Sequence, residues 1–170
     1  NPIITGAYLM TIEIGEKIPC ATLKFIGADG VTSVKVSEYF SNKKIVLFSV
    51  PGAFTPTCSA KHLPGFVEYT SDILGKGIDE IICISVNDPF VMNAWEKDQN
   101  SKGKVTLLAD GNGDFTEALG LSFDGSGFGL GKRGQRFAMI INNGVVSYLA
   151  IEEAGSFDVS SAESILKVLD

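Results

Sequence analysis

A chain of 170 residues that is 45% hydrophobic and 20% charged has enough apolar material for one domain of ordinary size with a buried core, and needs no second one. Its net charge of −6 argues against nucleic acid or an anionic membrane as partner, because both would repel it at long range. Three widely spaced cysteines form neither a disulfide framework nor a zinc pattern, which points to a reducing compartment: the cytoplasm, or an organelle if a transit peptide has been removed.

Residues 1–9 lack the basic start of a signal peptide and read as a cloning remnant or a disordered N-terminus, with Met10 as the natural start and 10–170 as a single domain. No stretch approaches the ~20 apolar residues that span a bilayer. Thr22 to Ile26 and Val31 to Val36, separated by Gly27-Ala28-Asp29-Gly30, predict a hairpin, after which Ser37 caps a short helix. Lys44 to Val50 is apolar and β-branched enough for a buried strand, and Pro51-Gly52 ends it. A helix is expected next, with Thr55 as N-cap and Pro56 at its first position, running to about Leu74 with Pro64-Gly65 as a kink or interruption. Glu80 to Val86 predicts a second buried strand, and Asp88-Pro89 opens a helix through about Gln99. Val105 to Leu108 reads as a short strand and Phe115 to Leu119 as a short helix. Phe137 to Asn142 and Val145 to Ala150 form a hairpin around Asn143-Gly144, and an amphipathic helix over Ser160 to Leu169 closes the chain. Helices interleaved with buried strands give an α/β class, and the late hairpin makes the sheet mixed.

The expected start of the second helix places Cys58 in its first turn, at the positive end of the helix dipole. Thiolate is the nucleophilic form of a cysteine, which ordinarily ionises near pH 8.5. Lowering that by about two to three units takes roughly 3–4 kcal/mol, whereas a helix end supplies ~0.3–1 and at best about 2. A reactive thiol here therefore needs a cation. Lys61 and His62 are nearby in sequence, but an arginine brought in by the fold is better, because it stays charged. Only Arg133 and Arg136 are arginine, and both lie at the entrance to one strand.

Other motifs fail on context. Gly129-Leu130-Gly131-Lys132-Arg133-Gly134 satisfies G-x-G-x-x-G but precedes a strand instead of opening a helix, so Gly125 to Gly134 reads as a mobile loop. Asp110-Gly111-Asn112-Gly113-Asp114 begins like a calcium loop, yet Phe115 stands where glycine is needed and Leu121 where the bidentate Glu belongs; it reads as a turn. His62 is the sole histidine, too few for a zinc site, and reads as a polar residue on a helix face. No metal site is expected.

Pro51, Thr55 and Cys58 match the Pro-x-x-x-Thr/Ser-x-x-Cys motif of peroxiredoxins, and Pro51 to Ser59 resembles the type II, or peroxiredoxin-5, subfamily. The similarity continues through Lys61 to Phe66, Cys83 to Phe90, Ala109 to Gly111 and Arg136 to Met139. The resemblance implies a thioredoxin-like fold, with helices flanking a mixed central sheet and an N-terminal β-hairpin extension. It also implies a thiol peroxidase that reduces hydrogen peroxide and alkyl hydroperoxides through a Cys58 sulfenic acid, with no metal or organic cofactor. Thr55 is then expected to bond the thiolate or the peroxide, Arg136 to face the sulfur with Arg133 as second choice, and Pro51 to shape and dry a pocket that includes Gly52, Phe54 and Phe128. A homodimer is the implied assembly, with Phe54 and Phe128 as apolar contacts.

Recycling of oxidised Cys58 is where the family divides. The 87 residues after Cys83 (170 − 83) contain no cysteine, so the C-terminal resolving cysteine of animal-type relatives has no counterpart. Cys83 lies 25 residues after Cys58 (83 − 58), the spacing of the resolving cysteine assigned in plant-type relatives, yet it sits in an apolar strand as a packed small side chain. Direct attack by glutathione, glutaredoxin or thioredoxin is the favoured reading, with Cys83 helping at most conditionally. Two rival functions are a dithiol–disulfide oxidoreductase, disfavoured because Thr55 occupies the first position of Cys-x-x-Cys, and a peroxide sensor or redox-regulated chaperone that uses the same thiol.

Overall fold

In a computed structural model of the protein, residues 10–170 are described. The expectation for residues 1–9 lies outside them. Seven strands form one mixed sheet in the order β2-β1-β5-β4-β3-β8-β9: β1 (Thr22–Gly27), β2 (Gly30–Lys35), β3 (Lys44–Ser49), β4 (Glu80–Ser85), β5 (Thr106–Ala109), β8 (Phe137–Asn142) and β9 (Val145–Ile151). β3, β4 and β5 run parallel in its centre, while the β1–β2 hairpin and the β8–β9 hairpin extend it on opposite sides as antiparallel pairs. Ile45–Phe48 of β3, Ile81–Ile84 of β4 and Leu107–Ala109 of β5 are continuous apolar runs because helices cover both faces of the central strands.

Alternation along those strands sorts the core into two layers. Val46 and Phe48 of β3, Ile81 and Cys83 of β4, and Ala138 and Ile140 of β8 pack with Cys58, Leu63, Phe66, Trp95 and Ile165. Their neighbours Ile45, Leu47, Ile82, Ile84, Met139 and Ile141 face the opposite layer with Val36, Phe40 and Phe115. The first layer is covered by α2 (Leu63–Glu68), α3 (Thr70–Leu74), α4 (Pro89–Gln99) and α6 (Ala162–Leu169), the second by α1 (Val36–Tyr39) and α5 (Asp114–Ala118). Cys58 and Cys83 thus share one side of the sheet.

Several boundaries follow the sequence closely. Asp88 caps α4 by accepting from Val91 N–H at 2.8 Å, with Pro89 at the first helical position. Asn143 (φ 49°) and Gly144 (φ 79°) make the β8–β9 turn, which demands two left-handed residues. The Asp110 turn also forms: its buried carboxylate accepts from Phe115 N–H, Thr116 N–H and the Thr116 hydroxyl, and so anchors α5.

Others are corrected. Ser37 lies inside α1, whose N-cap is Lys35. The helix after Pro56 is not interrupted at Pro64-Gly65. Its turn widens ahead of the proline over Cys58–His62, where Leu63 N–H reaches the Cys58 carbonyl five residues back, and it breaks instead at Tyr69. A widened turn accommodates a proline ring that an ordinary turn would clash with. The glycine-rich stretch is ordered into a hairpin, β6 (Ser122–Asp124) against β7 (Lys132–Gly134), closed by Gly125 N–H to Gly131 O at 2.6 Å. No helix among the described residues is long and apolar enough to cross a membrane.

Candidate active site

Three chain segments converge at the edge where parallel strands β3 and β4 end and antiparallel β8 begins. Ser49, the last residue of β3, lies beside Ile84 of β4 and Phe137 of β8, so the 50–58 turn, Asn87 and Arg136 emerge side by side. This is the end of a parallel sheet at which ligand crevices form.

The turn is held at each step. Thr55 N–H donates to the Gly52 carbonyl at 3.3 Å, and Ala53 N–H donates to Asn87 Oδ1 at 2.9 Å. Phe54 takes φ 66°, a left-handed conformation that costs a side-chain-bearing residue roughly 1 kcal/mol or more. Gly52 is buried, and a Cβ there would stand 2.5 Å from Arg133 Nη1. Arg133 spends that Nη1 on the Pro51 carbonyl (3.0 Å) and its Nε on the Leu130 carbonyl (3.0 Å). It therefore ties β7 to the turn, and is not the cation at the sulfur.

Thr55 does not cap the helix through its side chain. Its hydroxyl donates to the Gly52 carbonyl at 2.6 Å, which uses its single proton and leaves only acceptor capacity. Ser59, one residue past Cys58, accepts from the indole N–H of buried Trp95 at 3.0 Å, which pins the widened turn to α4.

Cys58 is fully buried, and Arg136 Nη2 donates to its sulfur at 3.2 Å. The other terminal nitrogen, Nη1, donates to His62 Nδ1 at 2.9 Å. Lys61 is exposed. His62 is neither a cation nor a surface residue: it is fully buried among Phe48, Phe66 and Phe157, and its Nε2–H donates to the Ser160 carbonyl at 2.9 Å. Burial first, and then the Arg136 charge, push its pKa down from 6.5 to about 3. Glu152, also buried, accepts from Asp158 N–H, Ser160 N–H and the Ser160 hydroxyl at 2.7–2.8 Å. Burial alone would raise its pKa, but these hydrogen bonds prevail and hold it below the ordinary carboxylate value.

Cys83 lies on β4 between β3 and β5, fully buried. Burial, and then the proximity of Cys58, push its thiol well up, against a smaller opposing pull from Arg136. Phe54 and Phe128 carry exposed rings, at 52% and 84%, and are surface features, not walls of an enclosed pocket. A groove between the β1–β2 hairpin and α4, lined by Phe25, Tyr39 and Met92, contains none of the residues around Cys58.

The sequence reading missed Asn87, Ser160 and Glu152, and it took His62 for a nearby cation candidate or a polar residue on a helix face. His62 had one usable signal: in a helical turn, four residues beyond Cys58 is the same face, which the apolar Leu63 and Phe66 mark as the buried one. Asn87 and the 152–160 segment carry no local pattern at all.

His62 also gives the protein an acid dependence. Because it stays neutral when folded down to about pH 3, the unfolded chain binds one more proton below 6.5, so stability from this group is present above 6.5 and lost as pH falls. Unfolding free energy is expected to fall between about pH 6 and 4 with a slope of up to about 1.4 kcal/mol per pH unit from this residue. Urea titrations of the wild type and of His62→Phe should differ by that slope, and parallel pH profiles would contradict it.

The Redoxin family model matches residues 13–166. Peroxiredoxin-2E, chloroplastic, of Arabidopsis thaliana is 50% identical over 163 residues, 94% of this chain and 70% of that protein. Peroxiredoxin-2D of the same plant is 48% identical over 159 residues, 93% of this chain and 98% of that protein. Among solved structures, reduced Prx3 of Vibrio vulnificus in complex with H2O2 superposes with a TM-score of 0.91 at 50% identity, covering 94% of this chain and 100% of that one. With a thiol at the mouth of a thioredoxin-like sheet and these relatives along nearly its whole length, the chain belongs to the redoxin family, and within it to the type II peroxiredoxins.

Proposed function

We propose that this protein is a cysteine-based thiol peroxidase in which Cys58 reduces hydrogen peroxide and alkyl hydroperoxides and an external thiol recycles it. The observation that carries the reading is the 3.2 Å hydrogen bond from Arg136 Nη2 to the Cys58 sulfur. The relative from Vibrio vulnificus, described in complex with H2O2, supports the choice of substrate.

In the oxidation step the thiolate attacks one peroxide oxygen, and an S–O bond forms as the O–O bond breaks. Sulfur loses two electrons and becomes sulfenic acid, while the leaving oxygen takes a proton from water and departs as water or alcohol. Arg136 faces the sulfur and is placed for the negative charge that develops on the oxygens. Thr55, its proton committed to Gly52, accepts from the peroxide O–H and does not donate to the sulfur. Pro51 and Gly52 keep the approach closed to bulk water, and Phe54 and Phe128 form its apolar outer surface.

Recycling proceeds by an external thiol. That thiol attacks the sulfenic sulfur, expels water and leaves a mixed disulfide; a second thiol then displaces the Cys58 thiolate. Glutathione, glutaredoxin and thioredoxin are the candidate reductants. Cys58 is fully buried, so the widened turn must open to admit them. Cys83 is a poor competitor because a thiol kept protonated attacks slowly, and because its strand has neighbours on both sides and cannot move toward Cys58.

The reading assigns residues 10–170 to a single catalytic domain in a reducing compartment, the cytoplasm or an organelle, and a homodimer as its assembly, with the exposed Phe54 and Phe128 at the contact. Sedimentation should give a dimer at micromolar concentration; monomer alone, reduced and oxidised, would remove that assignment.

Cys58→Ser should abolish peroxide consumption with the fold intact, and residual turnover would end the proposal. Arg136→Lys keeps the charge but loses the forked geometry, and should slow oxidation about 10–100-fold in stopped flow, the equivalent of about 1.4–3 kcal/mol. Cys83→Ser should turn over undiminished and yield a glutathione adduct on Cys58. Lost turnover, with a Cys58–Cys83 disulfide in the oxidised wild type, would replace the one-cysteine route by an internal one.

A further inference from the structure

His62 is buried, polar and unused by the chemistry described above, and it touches the group on which that chemistry depends. A guanidinium has only donors, so the nitrogen facing Arg136 Nη1 at 2.9 Å, His62 Nδ1, must carry no proton. The nitrogen facing the Ser160 carbonyl at 2.9 Å, Nε2, must carry one. The two contacts together define one neutral tautomer. Burial of the ring, which lowers its pKa to about 3, agrees with that assignment.

The geometry has a direction. Arg136 is half-buried at the start of β8 and presents two terminal nitrogens, one to sulfur and one to imidazole. Because the guanidinium is planar, fixing one nitrogen fixes the plane in which the other lies. The ring is fixed in turn from the far side. Glu152 gathers Asp158 N–H, Ser160 N–H and the Ser160 hydroxyl onto one carboxylate oxygen, which sets where the Ser160 carbonyl points. Glu152 N–H also donates to the Arg136 carbonyl at 3.0 Å, so the same segment holds the arginine by its backbone. Phe157, between those anchors, lies 5.0 Å from the His62 ring centre and 5.9 Å from the Arg136 Cζ.

We propose that His62 is a positioning residue for Arg136: its unprotonated Nδ1 holds one nitrogen of the guanidinium so that the other faces the Cys58 sulfur, and the segment between β9 and α6 holds His62 through the Ser160 carbonyl. The inference rests on the peroxidase reading for its catalytic consequence but not for its structural content. Cys58 is reached from Ser160 through two side chains, so the 152–161 segment is part of the site although none of it touches the sulfur.

The test compares two variants in stopped flow, following oxidation of the reduced protein by H2O2. His62→Phe fills the space among three phenylalanines but offers no acceptor, and oxidation should slow at least about tenfold, the scale of a lost charge-assisted hydrogen bond. His62→Asn places an amide oxygen near the Nδ1 position, and the rate should recover to within about threefold of wild type on the same scale. Wild-type rates in a folded His62→Phe, or no recovery in His62→Asn, would overturn the proposal, the second by reducing His62 to a space-filling role. A measurement on the wild type stands if the phenylalanine variant does not fold: nitrogen-15 NMR of the imidazole should show the Nε2–H tautomer, unchanged from about pH 5 to about pH 8, where an ordinary histidine titrates. A protonated Nδ1 or a titrating ring would overturn it. These signals do not depend on peroxidase activity, whereas failure of the peroxidase reading would appear as residual turnover in Cys58→Ser.

Discussion

The Arg136 guanidinium, shared between the Cys58 sulfur and the His62 ring, is the interaction on which the other features of the site converge. A helix end alone supplies ~0.3–1 kcal/mol to a nearby anion, too little to make a thiol a nucleophile at neutral pH. A lysine would bring a charge without a direction. The guanidinium brings both, provided that something holds its second nitrogen, and a buried neutral imidazole does so without adding a competing charge. The arrangement is costly to bury piecemeal: loss of either partner leaves a half-buried cation with an unmet donor.

Convergence of these groups is a property of the sheet. Parallel β3 and β4 end at the edge where antiparallel β8 begins, so the cysteine turn and the arginine come from segments 78 residues apart (136 − 58) yet emerge from adjacent strands. Asn87, just beyond β4, bonds the turn from the side, and Arg133 bonds it from β7. The turn is thus braced by two neighbours while it carries a left-handed Phe54 and a widened helical turn, two departures from regular geometry. Strained geometry held by its surroundings is a common basis for a reactive group that must also open.

Cys83 shows how the same core limits the chemistry. It shares the Cys58 side of the sheet, but apolar packing and two flanking strands keep its thiol protonated and its backbone in place. The spacing of 25 residues between the cysteines (83 − 58) is therefore a weaker guide to disulfide formation than the environment of the second one. The turn bearing Cys58 is joined to α4 from Trp95 to Ser59 by a single hydrogen bond.

Local patterns were enough for the elements and for the reacting thiol. Continuous apolar, β-branched runs set the central strands, Asp88-Pro89 opened α4 and Asn143-Gly144 turned the last hairpin, because each of these rests on interactions within a few residues, and the Pro51 to Cys58 spacing marked the nucleophile through its resemblance to a known motif. Tertiary structure decided the rest. Pro64-Gly65 reads as a kink or an interruption, and the helix passes through it with a widened turn just ahead, while the glycine-rich stretch reads as a loop but pairs as β6 and β7, since both outcomes depend on what packs alongside. Arg133 and Arg136 lie at the entrance to one strand and only the family resemblance ranks Arg136 first, whereas the fold sends Arg133 to the Pro51 carbonyl and Arg136 to the sulfur. His62 reads as a polar residue on a helix face, and only the approach of Arg136 from β8 and Ser160 from beyond β9, 74 and 98 positions away (136 − 62 and 160 − 62), makes it a buried acceptor. Hydrogen-bond partners so distant in sequence leave no local periodicity, so they become visible only when the sheet has brought their segments together.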